Sequence, residues 1–132
     1  MFKGTITTDT AVTANTNIPF NVVWNTNGNT AYNKTDNAVE LRTSGFYDVI
    51  VTVQATTGTS GATVTAQLYA DGEAIPESAS TEVLGGTTTS TFTLADTVRV
   101  LVDRYPNVAD ISVRFDTAMT VNSAVITVEK RK

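Results

Sequence analysis

Glycoside hydrolysis needs two carboxylates held about 5–9 Å apart in a cleft, and Asp96, Asp103, Asp110 and Asp116 are the acids that could supply them. Each falls near a predicted strand end, where ordinary surface solvation accounts for an acid. Asp36, Asn37, Asp71 and Glu73 carry the hard oxygens that calcium takes, yet no loop spaces its acids as a dedicated site does. The chain has neither histidine nor cysteine, which removes Ser–His and Cys–His nucleophiles together with imidazole and thiolate metal sites. Gly85-Gly86 lies among threonines and reads as a plain turn, not a phosphate cradle. Trp24 and Tyr105 could stack on a ligand, although core or interface packing is the commoner use of such aromatics and the one expected here. These residues point away from an enzyme, with no catalytic residues, no cofactor and no metal expected.

The elements that would position any site begin with composition. At 132 residues the chain reads as one domain, residues 1–132, long enough to bury roughly two thirds of its unfolded surface. Charged residues make up only 17%, so threonine, asparagine and serine carry solvation. The formal net charge of −4 argues against nucleic acid as a partner. Lys130-Arg131-Lys132 is the one basic cluster; it reads either as a solvated chain end or as a contact for an acidic partner. No apolar stretch approaches the ~20 residues that cross a bilayer, and "MFKGTITTDT" lacks the apolar centre of a signal peptide. The expectation is a chain folded in a cytoplasm, with no membrane partner.

β-branched residues dominate, turn residues recur, and no segment sustains a 3.6-residue period, so the fold class is all-β. Strands are expected at Lys3 to Thr8, Ile18 to Trp24 (interrupted by Pro19), Ala38 to Arg42, Gly45 to Ala55 and Ala62 to Ala70. Further strands are expected at Thr87 to Leu94, Thr97 to Asp103, Asp110 to Asp116 and Val121 to Glu129. Asn25 to Asn37 reads as a long exposed loop, and Asp71-Gly72 as a tight hairpin turn.

Two classes of strand follow from the alternation. Asp110 to Asp116 is apolar on one face only: Ile111, Val113 and Phe115 oppose Ser112 and Arg114. The segment "GFYDVIVTV" differs, because Tyr47, Val49, Val51 and Val53 fill one face while Phe46 and Ile50 stand on the other. Thr97 to Asp103 likewise opposes Leu101 to Val98, Val100 and Val102. The last strand places Val121 and Val125 on one side and Ala124, Ile126 and Val128 on the other. Burial of Phe46, Ile50, Leu101 and Ile126 would be worth about 1.5–3 kcal/mol each, and a monomer seldom leaves such a patch bare. An identical subunit or a loop of the same chain must cover them.

Asn27, Tyr32, Val39, Gly45, Tyr47, Val49 and Val51 fall in the spacing N-x4-Y-x6-V-x5-G-x-Y-x-V-x-V. This resembles the signature of complement-type and tumour-necrosis-factor-like globular heads, with Val39 and Val49 where that family has phenylalanine and Val51 where it has an aromatic. "AQLYADGEAIP", "LADTVRVLV" and "NSAVITVEK" are similar to later family strands, so the resemblance spans nearly the whole chain. It implies a two-sheet antiparallel jelly-roll sandwich of about ten strands that assembles as a homotrimer, with Phe46, Ile50, Leu101 and Ile126 as trimer-interface residues. Such compact, cysteine-free, Thr- and Asn-rich chains also look like bacteriophage virion components. The implied role is a capsid decoration or head-fibre protein, assembled in the host bacterial cytoplasm, whose partners are its own copies and capsid or tail proteins. The alternative is an adhesive head that binds a host surface glycan or receptor through loops such as Asn25 to Asn37.

Overall fold

Runs of alternating apolar and hydroxyl-bearing side chains become strands when one face can be buried against another sheet. The computed structural model describes residues 1–25, 28–57, 60–85, 89–101 and 108–131. These form β1 (Phe2–Ile6), β2 (Thr10–Val12), β3 (Val22–Asn25), β4 (Thr30–Asn33), β5 (Ala38–Leu41) and β6 (Gly45–Thr56). There follow β7 (Ser60–Ala70), β8 (Glu73–Ala74), β9 (Ser80–Gly85), β10 (Ser90–Val100), β11 (Ala109–Phe115) and β12 (Met119–Lys130). Every pairing is antiparallel.

The strands make two sheets. Sheet A runs β10-β6-β12-β1-β3 with β2 beside the far end of β12; sheet B runs β4-β5-β11-β7-β8 with β9 beside β7. Their facing sides form one core. Sheet A contributes Phe2, Ile6, Tyr47, Val49, Val51, Val53, Phe92 and Leu94, and sheet B contributes Val39, Leu41, Val64, Leu68, Ile111, Val113 and Phe115. Phe92 and Phe115 meet edge to face across the gap, ring centroids 5.1 Å apart.

Several elements differ from the expectations. The segment around Pro19 is not strand until Val22; Ile18 and Phe20 instead turn inward as plugs. Ile18 N–H donates to Val113 O and Asn15 N–H to Phe115 O, so this connection lies along β11 where β5 has ended. Phe20 lies over Gly4, where an added Cβ would come within 3.2 Å of the Phe20 side chain. The Asn-rich stretch is not all loop, because it contains β4 with Thr30 buried. The two strands expected between Thr87 and Asp103 are, over the described residues, the single β10, whose eleven residues pair continuously with β6. Strand β9, rich in polar side chains on both faces, carried no readable alternation and includes Gly85. Asp71 (φ 52°) and Gly72 (φ 81°) form the expected tight turn.

The largest correction concerns β12. The pairing with β6 shifts between Val121 and Ser123, leaving Asn122 as an inserted residue. A bulge resets the alternation, so Val121, Ala124, Ile126 and Val128 all face the core. Ile126 is completely buried inside its own subunit and is not an outer-face residue. Val125 takes the outward place instead.

Candidate assembly surface

The outer face of sheet A is the surface that the two-sided strands identify. Register sets its side chains in rows across the strands. One row reads Ala95, Ile50, Thr127, Lys3, Trp24 from β10 to β3. The next reads Thr93, Thr52, Val125, Thr5, Val22, and beyond it lie Thr91, Gln54 and Ser123. Across these three rows Lys3 is the single charge. In the other direction come Thr97, Asp48 and Glu129, then Arg99 and Phe46 beside Leu101.

Large apolar side chains are exposed on this face: Phe46 49%, Ile50 52%, Leu101 74%, Trp24 55%, Val22 55% and Val125 38%. Among the described residues, none lies over Phe46 or Ile50 closely enough to bury it. The outer face of sheet B is of another kind. It presents Glu40, Asp110, Gln67 and Arg114, the last stacked on the Tyr69 ring 4.3 Å from its centroid and donating to Asn17 Oδ1 at 2.7 Å. The charges of sheet A are gathered mainly toward the Asp48–Phe46 end of its outer face, and the three rows beyond meet water with threonines and hydrocarbon.

The three sequence-derived residues Phe46, Ile50 and Leu101 share the β6–β10 side of this face, whereas Ile126 is in the core. Val125, Val22 and Trp24 were not among them. Val125 was hidden by the bulge, and the Val22-Val23-Trp24 run could not be oriented without knowing where the strand after Pro19 begins.

A polar clamp borders the apolar rows. Arg131 Nε donates to Asp48 Oδ2 at 3.0 Å, Thr97 Oγ1 donates to Asp48 Oδ1 at 2.8 Å, and Arg131 N–H donates to Phe46 O. The Arg131 hydrogen bond, then that from Thr97, hold the Asp48 carboxyl below the usual carboxylate range. Lys130 Nζ donates to Thr43 Oγ1 at 3.0 Å, so both described members of the basic cluster are tied into the fold. Lys132 lies outside the described residues.

The acids weighed for chemistry do not converge. Asp110 is the second residue of β11 and Asp116 follows its end, about 20 Å apart along a strand rising about 3.4 Å per residue. Asp116 Oδ1 accepts Thr65 N–H at 2.9 Å in a turn, Asp96 is on the edge strand β10 of the other sheet, and Asp103 lies outside the described residues. Asn33 Oδ1 accepts the amides of Thr35 and Asp36, Asp36 Oδ2 accepts from Asn33, and Asn37 Oδ1 accepts from Tyr32, so these oxygens shape the β4–β5 turn. Asp110 N–H donates to Asp71 Oδ1 at 2.8 Å, while its own buried Oδ1 has no hydrogen-bond partner among the described residues. Burial first, then the charges of Asp71, Glu40 and Asp36, push the Asp110 carboxyl up. Among the described residues no group of three or more such side chains is disposed to hold a metal ion. Trp24 is exposed rather than part of the subunit core, and Tyr105 lies outside the described residues.

No protein-family model matches the chain, and no curated protein matches it. Solved structures do. The globular domain of zebrafish complement 1qA protein superposes with a TM-score of 0.73 at 7% identity, covering 99% of this chain and 96% of that one. Eiger TNF from S. frugiperda gives 0.67 at 11% identity, over 98% of this chain and 92% of that one. PRD1 vertex protein P5 gives 0.57 at 16% identity, over 99% and 96%. The fold is that of the tumour-necrosis-factor-like and complement-type jelly rolls.

Proposed function

We propose that this tumour-necrosis-factor-like jelly roll is a non-enzymatic, homotrimeric structural protein of a phage particle, a capsid decoration or head-fibre component. The observation that carries the reading is the bare outer face of sheet A, where Phe46, Ile50, Leu101, Trp24, Val22 and Val125 stand exposed and three successive rows hold Lys3 as their single charge. With strands about 4.8 Å apart and outward side chains about 6.8 Å apart along each, that face covers roughly 600 Å² in plan. Side-chain relief brings it to the scale of the about 800 Å² that each partner contributes to a standard interface. Phe46, Ile50, Leu101 and Val125 would be the contacts, and closed cyclic assembly is the common arrangement for homo-oligomers. The likeness to the PRD1 vertex protein supports a place on a virion, as does a chain that solvates itself with threonine and asparagine. The work done is mechanical: copies bury a shared sheet, and one end of the assembly docks on capsid or tail proteins.

Sedimentation equilibrium tests the first half. The expected mass is three chains, and Ile50→Asp should give folded monomers; a wild-type monomer removes the proposal. Binding of the purified protein to capsids, without binding to host cells or glycan arrays, supports the virion role. The reverse result would move it to an adhesive head.

A further inference from the structure

Alternation along β11 sends Ile111, Val113 and Phe115 into the core and leaves Ser112 and Arg114 on the outer face of sheet B. Register sets Tyr69 beside Ser112 and Gln67 beside Arg114. The Arg114 side chain is held rather than free to swing. It lies over the Tyr69 ring, 4.3 Å from the centroid, and its Nε donates to Asn17 Oδ1 at 2.7 Å. Asn17 is itself fixed, because its Nδ2 donates to Asp36 O at 2.8 Å and the next residue, Ile18, donates its N–H to Val113 O. The guanidinium is thus positioned from two sides before anything binds.

The end of its fork is left over. Arg42 and Arg131 have carboxylate partners, Glu40 and Asp48. Among the described residues Arg114 has none, and neither terminal nitrogen makes a hydrogen bond. Ser112, only 6% exposed, also lacks a hydrogen-bond partner among the described residues, as does the Tyr69 hydroxyl. The nearby acids are engaged elsewhere: Asp116 Oδ1 accepts from Thr65 N–H and the Thr117 hydroxyl, and Asp36 Oδ2 accepts from Asn33. Asp110 and Glu40 stand side by side at the far end of the face, about 14 Å from Arg114 along the strand at about 3.4 Å per residue.

A planar guanidinium with both terminal nitrogens open matches the two oxygens of a carboxylate. Fixing it beforehand removes part of the entropy cost of binding. Arginine and tyrosine are also residue types on which protein contacts concentrate their energy. We infer that Arg114, Ser112 and Tyr69 form a docking site for one carboxylate, carried on an extended, otherwise neutral segment of a capsid or tail protein. The segment is neutral elsewhere because a second acid would meet Asp116 on one side or Asp110 and Glu40 on the other. The inference rests on the proposed virion role and names the surface that docks, since sheet B is the face that copies joined through sheet A leave outside.

The probes are acetyl-Gly-Ser-Glu-Ser-Gly-amide, the same peptide with Gln for Glu, and glucuronic acid, each titrated into the whole protein and followed by NMR. The Glu peptide should shift the Arg114 Nε–H and Tyr69 ring signals saturably, with a dissociation constant on the order of millimolar for a single ion pair. The Nε–H of Arg99, exposed on sheet A, should not move at those concentrations. Arg114→Lys should weaken binding about tenfold, the scale of one lost charge-assisted hydrogen bond, and Ser112→Ala should weaken it several-fold. Equal shifts from the Gln peptide, or equal shifts at Arg99, would mean a nonspecific effect and overturn the site. Tighter binding of glucuronic acid than of the Glu peptide would overturn a protein segment as the occupant. Ile50→Asp should bind as the parent does, because the site is on the other sheet. A wild-type monomer that binds the Glu peptide removes the assembly and keeps this site; a trimer whose Arg114 signal stays still removes the site and keeps the assembly.

Discussion

Gly45 and Tyr47 show at single-residue scale why one stretch of sequence is so recognisable. Gly45 has φ +149°, where a side chain is strained, and an added Cβ would lie 2.7 Å from Lys130 Cε. Lys130 crosses there to reach Thr43, whose carbonyl accepts the buried Tyr47 hydroxyl at 2.8 Å and whose own hydroxyl donates to Asn29. Tyr47→Phe should therefore lower stability by about 1–2 kcal/mol in denaturant titration, since a part-buried carbonyl loses its donor. Gly45→Ala should cost about 1–3 kcal/mol, and trimming Lys130 should recover only part of it because the backbone strain stays. Asp110 gives a pH dependence of definite sign. A carboxyl whose pKa is higher folded than unfolded favours the fold below its unfolded value and loses that contribution as pH rises through the folded one. Melting temperature should thus climb as pH falls from 7 toward the ordinary carboxyl range near about 4, and Asp110→Asn should raise it at pH 7 and flatten the climb. Asp48 pulls the opposite way, only below that range and weakly, because its ion pair is solvent-exposed.

At the scale of the element, the bulge in β12 decides which residues enter the core and which stand on the outer face of sheet A. Ile126 sits opposite Gly4 and Val51 in the interior, whereas the adjacent Val125 points out beside Thr5 and Thr52. Ile126→Ala should cost about 2–5 kcal/mol in monomer stability. Val125→Asp should leave the monomer's unfolding within about 1 kcal/mol of the parent while reducing the oligomer fraction in sedimentation. Equal effects of the two changes on folding would contradict the register.

For the whole molecule, the two sheets divide the labour. Sheet B meets solvent with Glu40, Asp110 and Arg114, and its connection from Asn15 to Phe20 seals the sandwich on that side. Sheet A keeps hydrocarbon outside, and in the proposed assembly partner copies would cover it. If assembly and folding are coupled, mass action makes melting depend on protein concentration. The melting temperature of the parent should rise with concentration across the micromolar range, and that of Ile50→Asp should not. A concentration-independent parent would mean that the copies contribute nothing to the fold.

Local pattern alone determined much of this protein. Alternation along Gly45 to Ala55 and Asp110 to Asp116 predicted both strands and the buried face of each, because strand period is a local property of the backbone. It also exposed Phe46, Ile50 and Leu101 as apolar residues on the wrong side, and the Asp71-Gly72 turn followed from dihedral preference. The tertiary structure decided what local pattern cannot carry. A single inserted residue, Asn122, exchanged Ile126 for Val125, since register depends on the partner strand. The inward turn of Ile18 and Phe20 depended on where β5 leaves β11 uncovered. The row that aligns Trp24 with Ile50 exists only through three strand pairings, β3 with β1, β1 with β12 and β12 with β6, and no one of those segments contains it.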